Sequence, residues 1–413
     1  MNTKQLSVRL FGEEVGILEQ DKNGKLHFTY SDTAKIPISY SLPLDKKSFS
    51  EKECRPYFNG LLPESEHIRN NIAKIYGINA NSDFAILKTI GHDCAGAVSL
   101  HAQEEPIKKA QLVKIEGYPQ TEESLSKHIE ALPEHPFFMG KNNDVRLSLA
   151  GTQDKAPISL IDGKICIPRN GTPSTHILKP LIKNLNASVL NEYICMRLAG
   201  AIGINVPKVE IKSAKNVAYL LIERYDRELN KDIVMRIHQE DFCQALGILS
   251  INKYQADGGP GFKQCFELLN ITQLPAKAKL LFMKTIMFNY LIGNNDAHGK
   301  NFSLLYKNKK PTLAPAYDIL STETYPILTK KMAMKIGSSY EKENISNHDW
   351  QTLCNNVEYS FSMFKKEFLE MCELLPKSVD VEINLSNKNI SPEVPDKIKK
   401  VVLENIKKLK LSL

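Results

Sequence analysis

The stretch from residue 293 to residue 303 constrains the fold of this chain most, because it joins two apolar segments through a polar loop. It follows an apolar run, Leu280 to Ile292, that predicts a buried helix, and it leads into Phe302 to Tyr306, which predicts a short strand. Its Gly and Asn content predicts a non-helical connection. The loop carries a carboxylate, an imidazole and an amide in the order Asp-x-His-x-x-Asn, namely Asp296, His298 and Asn301.

This set of side chains matches the chemistry that phosphoryl transfer needs. A carboxylate can receive the proton of a substrate hydroxyl, and an amide oxygen five residues later can hold a metal ion. Asp318 is placed to supply a second carboxylate. The alternative is a polar helix-to-strand turn in which Asp296 and Asn301 cap backbone groups. His298 and the flanking elements favour the catalytic interpretation.

Composition limits the class of protein. The 413 residues suffice for two or three packed units, and 42% hydrophobic with 24% charged residues is typical of a soluble globular protein. The net charge of +7 permits acidic partners without requiring them. Eight scattered cysteines without a Cys-x-x-Cys pair argue against a zinc site and a disulfide framework, and favour a reducing cytoplasm. The first residues do not resemble a secretory signal, and no segment is predicted to span a membrane.

The N-terminal hundred residues predict a small sheet followed by helices. Residues 6–30 alternate between apolar and polar and contain a hairpin signal at Asp21–Gly24, which predicts an antiparallel sheet. Helical spacing of apolar residues follows from 56 to 90. Residues 102–109 have the composition of a linker. No chemical cluster is recognisable in this part, so it is interpreted as an accessory or docking module.

The middle of the chain predicts a strand starting near Val145, a glycine-containing turn and a further strand. Gly151 and Lys155 with their flanking amides could form a loop over phosphates, although a plain surface turn is equally compatible. A later strand carries Lys179, which is either a solvated outward residue or a phosphate ligand. A helix is predicted next, from about Ser188 to Ala201. Glu192 lies in its first turn, where it either pairs with Lys179 or only favours the helix N-terminus.

The apolar run Val217 to Ile222 predicts a buried strand, and in the nucleotide interpretation its end is a hinge that meets adenine. After residue 227 the pattern is mainly helical to about residue 375, including a helix opened by His238–Gln244. Residues 395–410 predict an amphipathic helix whose lysine face is interpreted as solvated rather than in contact with nucleic acid.

Seven motifs in this order resemble the HipA family of serine/threonine kinases, which are the toxin halves of bacterial toxin–antitoxin pairs. They are Arg146–Lys155, Ser174–Lys179, Asn191–Tyr193, Glu223–Asp226, Gln239–Asp241, Asp257–Gly261 and Asn294–Phe302. The first hundred residues are similar to that family's N-terminal module, at Asn59–Glu64 and Asp93–Val98. The resemblance covers essentially the whole chain. One mild departure lies after Gly151, where many members have Ala-Gln-Glu-Lys and this chain has Thr-Gln-Asp-Lys.

The resemblance implies an α+β, two-lobed protein-kinase-like fold with a mixed-sheet small lobe, a helical large lobe and an N-terminal β-rich module. The implied domains are 1–105 for the N-terminal module, 106–226 for the small lobe with phosphate loop and hinge, and 227–413 for the large lobe with the catalytic and metal loops.

The resemblance also implies roles for single residues. Asp296 would be the catalytic base, His298 a catalytic-loop residue near the phosphates, and Asn301 and Asp318 the Mg²⁺ ligands. Ser148 would be the site of an autophosphorylation that silences the kinase. A dianionic phosphate there would bring like charge to the loop that receives the phosphates of ATP and should pull that loop out of place. The remaining implied ATP contacts are Gly151, Thr152, Gln153, Lys155, Lys179, Glu223, Tyr225, Gln239 and Tyr317.

The implied partner is a small helix-turn-helix antitoxin that binds DNA, so that this chain would reach DNA through the antitoxin. The implied activity inhibits growth in the cytoplasm by phosphorylating a component of translation, such as an aminoacyl-tRNA synthetase. Two alternatives stay open. One is a non-catalytic co-repressor partner of a helix-turn-helix protein, and the other is a kinase of a small molecule or lipid with the same loop.

Overall fold

The computed structural model describes residues 4–105, 112–139, 148–169, 171–307, 310–385 and 393–412. The start of the predicted strand, at 145–147, and the predicted linker beyond residue 105 lie outside these ranges. The chain forms two compact units. Unit 1 comprises Met1–Pro180, Lys212–Ile251 and Leu305–Lys307, and unit 2 comprises Leu181–Ile211, Asn252–Leu304 and Asn308–Leu413.

Unit 1 begins with five strands: β1 (Lys4–Leu10), β2 (Glu13–Gln20), β3 (Leu26–Tyr30), β4 (Ser48–Phe49) and β5 (Val98–Ala102). They form a sheet in the order β4-β3-β2-β1-β5, with antiparallel pairing. The β2–β3 turn closes through a bond from the Asp21 N–H to the Lys25 carbonyl, 2.9 Å. Alternate residues such as Leu6, Val8 and Phe28 are fully buried. The predicted antiparallel sheet is confirmed.

Three helices cover this sheet's part of the core, and a fourth follows later: α1 (Glu51–Gly60), α2 (Glu66–Tyr76), α3 (Asp83–Ile90) and α4 (Glu122–Glu130). The buried residues Ile68 and Ile72 of α2 and Phe84 and Leu87 of α3 belong to the same apolar cluster as the sheet. The helical prediction for residues 56–90 is therefore confirmed.

The next elements are β6 (Leu112–Lys114), β7 (Gly117–Pro119), β8 (Ala156–Ile161), β9 (Lys164–Pro168), β10 (His176–Pro180), α5 (Ser188–Ala201, in unit 2), β11 (Val209–Ala214), β12 (Val217–Glu223), β13 (Arg227–Asn230), β14 (Ile233–Arg236), β15 (His238–Asp241) and α6 (Phe242–Ala245). One sheet has the order β11-β12-β10-β8-β9-β7, and a smaller one has the order β13-β14-β6. The β8–β9 turn has positive φ at Asp162 and Gly163, as a type I′ hairpin requires.

Two predictions for this region are wrong. Residues 148–150 are not a strand, because their backbone bonds run to the N-terminal segments and not into a ladder. Residues 227–241 form β13–β15 before α6 begins, whereas a helical pattern was expected there. Each of these strands has only four residues, and β13 and β14 obtain their backbone partners from each other and from the distant β6.

Unit 2 contains the longer helices and four further strands: α7 (Phe262–Leu268), α8 (Pro275–Ile292), β16 (Ser303–Tyr306, whose last two residues belong to unit 1), β17 (Thr312–Leu313), β18 (Lys331–Ile336), β19 (Ser339–Glu341), α9 (Asn347–Asn356), α10 (Phe361–Leu385) and α11 (Glu393–Ser412). Its core includes Phe282, Phe288 and Trp350, and the ring of Trp350 stacks on Phe364 with centroids 4.9 Å apart. The β18–β19 hairpin lies where helices were predicted, so that part of the prediction is wrong.

The C-terminal helix α11 has the predicted amphipathic pattern. Val394, Ile398, Val402 and Leu409 are buried, whereas the lysines at 397, 400, 407, 408 and 410 are exposed. All eight cysteines are free and buried. In the described part of the chain, no helix has the length and apolar character needed to cross a membrane. Sheets and helices are both extensive, which confirms the α+β class.

Candidate active site

Gly293 ends α8 and sets the direction in which the polar loop leaves the helix. Its φ of 72° is left-handed, which ends the helix. A Cβ at this position would lie 2.8 Å from Glu323 Oε2 and 2.8 Å from Val401 Cγ1, so a larger residue would displace its neighbours. A 3₁₀ turn at Gly299–Asn301 then leads into β16. The helix, loop and strand of the sequence prediction are confirmed.

Asp296 lies on this loop with its side chain exposed to solvent. Its Oδ1 accepts a hydrogen bond of 2.7 Å from the Tyr254 hydroxyl, and its N–H donates to Asn294 Oδ1 at 3.2 Å. The carboxylate is therefore oriented by a neighbour while one face stays open to water. A general base needs this combination of fixed position and access to the reacting hydroxyl.

His298 is buried, and its ring lies edge-on to Tyr254 with centroids 5.1 Å apart. Burial, followed by the nearby Lys253 ammonium, lowers the pKa of His298 to about 3. The imidazole is therefore neutral near pH 7. Its Nδ1 has no hydrogen-bond partner within the described residues. Such a ring can exchange a hydrogen bond with a ligand but supplies no positive charge.

Asn301 and Asp318 lie together. The Asn301 Nδ2 donates to Asp318 Oδ2 at 3.2 Å, and its Oδ1 accepts the His298 N–H at 3.0 Å. The capping interpretation thus describes one bond of Asn301. Asp318 has a φ of 58°, a left-handed conformation that is uncommon for residues with a Cβ and that aspartate adopts more readily than most. An amide oxygen and a carboxylate side by side are the oxygen donors that Mg²⁺ prefers.

Two residues hold the segment around Asp318 in place. The Tyr317 hydroxyl donates to the Lys300 carbonyl at 2.7 Å and contacts Ser303 Oγ at 2.7 Å. Asn191 of α5 accepts the Ser321 N–H through Oδ1 at 2.8 Å and donates to the Ser321 carbonyl at 3.1 Å. Tyr317 therefore bonds directly to the polar loop that carries Asp296, a contact that the sequence did not indicate.

The predicted phosphate loop lies in unit 1. Gly151 has a φ of 108°, and a Cβ there would lie 2.6 Å from Lys155 Nζ, so the lysine ammonium sits directly over the glycine. The Gly151 carbonyl accepts the Glu64 N–H at 3.1 Å. Thr152 is exposed. Gln153 is half-buried, and its amide donates to the Pro180 carbonyl at 3.4 Å.

Ser148, the predicted autophosphorylation site, is 0% exposed. Its Oγ donates to the Leu61 carbonyl at 2.6 Å, and its N–H donates to the Asp93 carbonyl at 3.0 Å. In this conformation the hydroxyl is inaccessible to any phosphoryl donor.

Lys179 lies in β10 opposite Leu220 of β12 and is only 6% exposed. A solvated, outward-facing lysine would be exposed, so the interpretation of Lys179 as a solvated residue does not fit. At the end of β12, Glu223 is exposed, and the Tyr225 hydroxyl donates to Gln239 Oε1. The structure thus joins Tyr225 and Gln239, which the sequence analysis had placed in one adenine pocket from distant segments.

The predicted site residues are divided between the two units. Unit 2 carries the catalytic and metal set together with Tyr317, and unit 1 carries the other nucleotide contacts and Ser148: Gly151, Thr152, Gln153, Lys155, Lys179, Glu223, Tyr225 and Gln239.

Sequence reasoning missed a buried charge network around Asp93. Its Oδ1 accepts from Arg227 Nη2 at 2.7 Å and from Arg236 Nε at 3.2 Å, and its Oδ2 accepts from the Ser174 hydroxyl at 3.1 Å. Arg224 also lies within 3.5 Å of Oδ2. The expectation that the N-terminal part forms no chemical cluster is therefore wrong. A carboxylate inside the apolar run 91–98 was the available signal.

A second set of residues that was missed supports the end of α8. Lys342 is buried, and its ammonium donates to the Tyr290 carbonyl at 2.6 Å and to Glu323 Oε1 at 2.9 Å. Asn405 of α11 donates to the Leu291 carbonyl at 3.1 Å. Burial lowers the pKa of Lys342 to about 8. These contacts satisfy the last carbonyls of the helix that presents the polar loop.

Both parts of the chain match known protein families. The HipA-like C-terminal domain family matches residues 147–379, and the HipA N-terminal domain family matches residues 6–101. The chain is 42% identical to the "Putative kinase Y4mE" of Sinorhizobium fredii (strain NBRC 101917 / NGR234) over 92% of each chain. It is 27% identical to the serine/threonine-protein kinase toxin HipA of Shewanella oneidensis MR-1, over 86% of this chain and 83% of that protein.

Among solved structures, HipA in the Shewanella oneidensis MR-1 complex of HipA, HipB and operator DNA superposes with a TM-score of 0.85 at 24% identity, covering 98% of this chain and 97% of that one. That similarity confirms the predicted kinase-like α+β fold. The two family matches and the 42% identical relative, together with the geometry above, show that this chain belongs to the HipA family.

Proposed function

We propose that this protein is an ATP- and Mg²⁺-dependent serine/threonine-protein kinase that acts as a growth-inhibiting toxin. The observation that carries the proposal is the arrangement in unit 2, where an exposed carboxylate at Asp296 shares a loop with Asn301, and Asn301 contacts Asp318 at 3.2 Å. A structural turn has no need of a solvent-exposed carboxylate held by a tyrosine, or of a second carboxylate beside the loop amide.

In this proposal Asp296 takes the proton from the substrate hydroxyl as the hydroxyl oxygen attacks the γ-phosphorus of ATP. The bond between the γ-phosphorus and the β–γ bridging oxygen breaks, and ADP leaves. Asn301 and Asp318 would hold Mg²⁺, which would neutralise charge on the phosphates. The Asn301 oxygen keeps a lone pair for this purpose beside its bond to the His298 N–H. His298 remains a neutral hydrogen-bonding group near the phosphates.

The residues of unit 1 bind the nucleotide. Lys179 attracts the α- and β-phosphates, and its burial strengthens that attraction because little water screens it. Gly151, Thr152, Gln153 and Lys155 cover the phosphates. Glu223 and Tyr225 meet adenine, and the Gln239 amide, already bonded to the Tyr225 hydroxyl, lines the same pocket.

Ser148 is the proposed silencing site. Its hydroxyl must first leave the Leu61 carbonyl, because a fully buried serine cannot reach ATP. After phosphorylation the return is blocked. The Oγ no longer carries the hydrogen that it donated to the Leu61 carbonyl, and a dianion cannot re-enter a fully buried position. The modification would therefore hold the phosphate loop away from its docked position.

The proposed partner is a DNA-binding helix-turn-helix antitoxin, because the similar Shewanella oneidensis protein was solved with HipB and operator DNA. The proposed substrates are proteins of the translation apparatus, such as an aminoacyl-tRNA synthetase, and the proposed location is the cytoplasm.

The test is intact-mass analysis after incubation with Mg-ATP. Asp296→Asn keeps the size of the side chain and removes the base, and Ser148→Ala removes the acceptor. Asp396→Asn is the matched control, because Asp396 is an exposed aspartate on α11 of the same unit. We expect one added phosphate on the parent and on the control, and none on the other two variants.

Further outcomes distinguish the proposed protein kinase from a small-molecule or lipid kinase and from a co-repressor. Labelling of small molecules or lipids alone would favour the other kinase class. Phosphorylation by Asp296→Asn at the rate of the parent would refute the assignment of the base. A variant that transfers no phosphate and no longer inhibits growth, yet still tightens operator binding by its antitoxin, would show that repression is a separate role.

A further inference from the structure

We infer that His92, His101 and Glu105 form a binding site for a transition-metal ion of the Zn²⁺ class. Each residue offers one ligand atom, and these atoms all lie within 4.8 Å of one another. The Glu105 Oε2 is 3.0 Å from His92 Nε2 and 3.1 Å from His101 Nδ1. The proposal does not depend on the kinase function, because none of the three residues belongs to the proposed catalytic set.

The separations suit a tetrahedral ion. Zn²⁺ binds imidazole nitrogen and carboxylate oxygen at about 2.1 Å, which places neighbouring ligand atoms about 3.4 Å apart. The two measured separations to Glu105 are only a few tenths of an ångström shorter. Two histidines and one glutamate are also a known set of three protein ligands, which leaves the fourth position for water or another ligand.

Neighbouring groups orient the two imidazoles. His101 contacts Ser99 Oγ through Nε2 at 3.0 Å, which leaves Nδ1 directed at Glu105. The two rings pack edge to face with centroids 4.6 Å apart. A hydrogen bond to the second ring nitrogen is the usual support for a metal-bound histidine. His92 and His101 are largely buried, whereas the Glu105 side chain is 35% exposed and offers a route for an ion.

The charges around the cluster are mixed. Arg9 opposes a cation, and its Nη2 donates to the Glu105 backbone carbonyl at 2.7 Å. The Glu105 and Glu14 carboxylates both attract that guanidinium. Arg9 therefore fixes Glu105 in place and moderates the affinity.

The ligand types select the metal. Imidazole nitrogen suits Zn²⁺ and Co²⁺, whereas Mg²⁺ and Ca²⁺ require oxygen ligands. The cysteine pattern had argued against zinc, but it does not bear on a site built from histidine. The eight cysteines are buried, so they do not compete for added metal in the folded protein.

The alternative is a metal-free cluster in which Glu105 accepts hydrogen bonds from both imidazoles and closes the turn after β5. The two possibilities differ in metal binding. The experiment uses the full-length protein without a histidine tag, stripped with a chelator and titrated with Co²⁺ and then Zn²⁺. The visible absorption of four-coordinate Co²⁺ reports the site, and the melting temperature reports the gain in stability.

We expect one equivalent of Co²⁺, displaced by Zn²⁺, and a melting temperature that rises with Zn²⁺. His101→Gln and Glu105→Gln should each weaken binding by more than about 100-fold, because removing a ligand costs more than removing its supporting partner. His27→Gln is the matched control, since His27 lies 3.7 Å from Asp21 without a third ligand. It should bind like the parent. Equal binding by all four proteins, or no stoichiometric binding by the parent, would overturn the proposal.

A second measurement uses the parent alone, in case a variant does not fold. Histidines are modified with diethyl pyrocarbonate with and without Zn²⁺, and the sites are read by mass spectrometry. Zinc should protect His92 and His101 and leave His27 unchanged. Equal modification of His92 and His101 with and without Zn²⁺ would contradict the site.

Discussion

Replacement of Asp93 by asparagine should destabilise unit 1 strongly. The Asp93 side chain is 0% exposed, and its two oxygens accept bonds from Arg227, Arg236 and Ser174. Asparagine has the same shape but presents an NH₂ donor to groups that are themselves donors. The substitution therefore removes a charge. It also places the new NH₂ donor opposite the donors of the neighbouring side chains in a fully buried site.

The size of the effect follows from the charges. The cluster contains three guanidiniums and two carboxylates, Asp93 and Asp226, so asparagine raises its excess positive charge from one to two. Breaking a buried ion pair by removing one partner costs about 3–5 kcal/mol. Arg236 is 12% exposed and Asp226 still pairs with the other two arginines, which places the loss near the lower end, about 3 kcal/mol.

The pH dependence has a definite sign. Burial by itself raises the pKa of Asp93, but Arg227, Arg236 and Arg224 outweigh it and hold the pKa well below its usual range. The stabilisation is thus present at neutral pH and is lost only as pH falls through the depressed folded pKa. The difference between parent and variant should stay constant from about pH 7 to 5 and shrink below about pH 4.

The assay must report on unit 1. The single tryptophan, Trp350, lies in unit 2, so its fluorescence would follow the wrong unit. Hydrogen exchange of the peptide 91–98 at increasing urea concentrations reports on unit 1, and far-UV circular dichroism follows the unfolding of the whole protein beside it. Asp32→Asn is the matched control, because Asp32 pairs only with the exposed Lys47 and should show no measurable shift. An Asp93→Asn midpoint equal to that of the parent would refute the reasoning.

Three further substitutions test the proposed site. Gly151→Val needs a strained φ of 108° and a Cβ 2.6 Å from Lys155 Nζ, so the ATP dissociation constant should rise at least about tenfold in a fluorescent-nucleotide titration; an unchanged constant would contradict the phosphate-loop role. Tyr254→Phe removes the hydroxyl on Asp296 and keeps the ring, so kcat should fall about tenfold, the value of one hydrogen bond, with an unchanged KM for ATP; an unchanged kcat would exclude Tyr254 as a positioning residue. His298→Gln should lose less stability on acidification than the parent, because the buried neutral imidazole, with its pKa near 3, destabilises the parent by up to about 2 kcal/mol between pH 6.5 and 5; melting curves at both pH values check this, and an equal loss in the two proteins would contradict the lowered pKa.

The sequence predicted those elements whose apolar runs end at clear breakers. Helix α5 has the predicted bounds, residues 188–201, and α8 ends where Gly293 follows Ile292. The strand β12 follows the apolar run at 217–222. By contrast, β13 and β14 have only four residues each, and β14 also pairs with β6, a segment more than a hundred residues earlier. A local pattern holds no information about such a partner.

The same distinction explains which parts of the site were predictable. Asp296, His298 and Asn301 lie within six residues on one loop, so the sequence could propose them together as a catalytic set. Tyr254, which orients Asp296, is 42 residues away along the chain. The burial of Lys179 depends on the strands beside it and not on its own segment. The role of a residue that depends on neighbours from distant segments becomes recognisable only when the fold is known.

The N-terminal module shows most clearly which contacts a sequence pattern cannot indicate, because it contacts the predicted phosphate loop through main-chain atoms. The Leu61 and Asp93 carbonyls accept bonds from Ser148, and the Glu64 N–H donates to Gly151. Any residue type has a carbonyl and almost any has an N–H, so no side-chain pattern can indicate these bonds. Yet they hold both the glycine over which Lys155 lies and the serine proposed to be phosphorylated. Since Asp93 also anchors the arginine network through its side chain, one residue of the module fixes the loop and the strands beside it. The module is therefore part of the structure that positions the predicted phosphate loop.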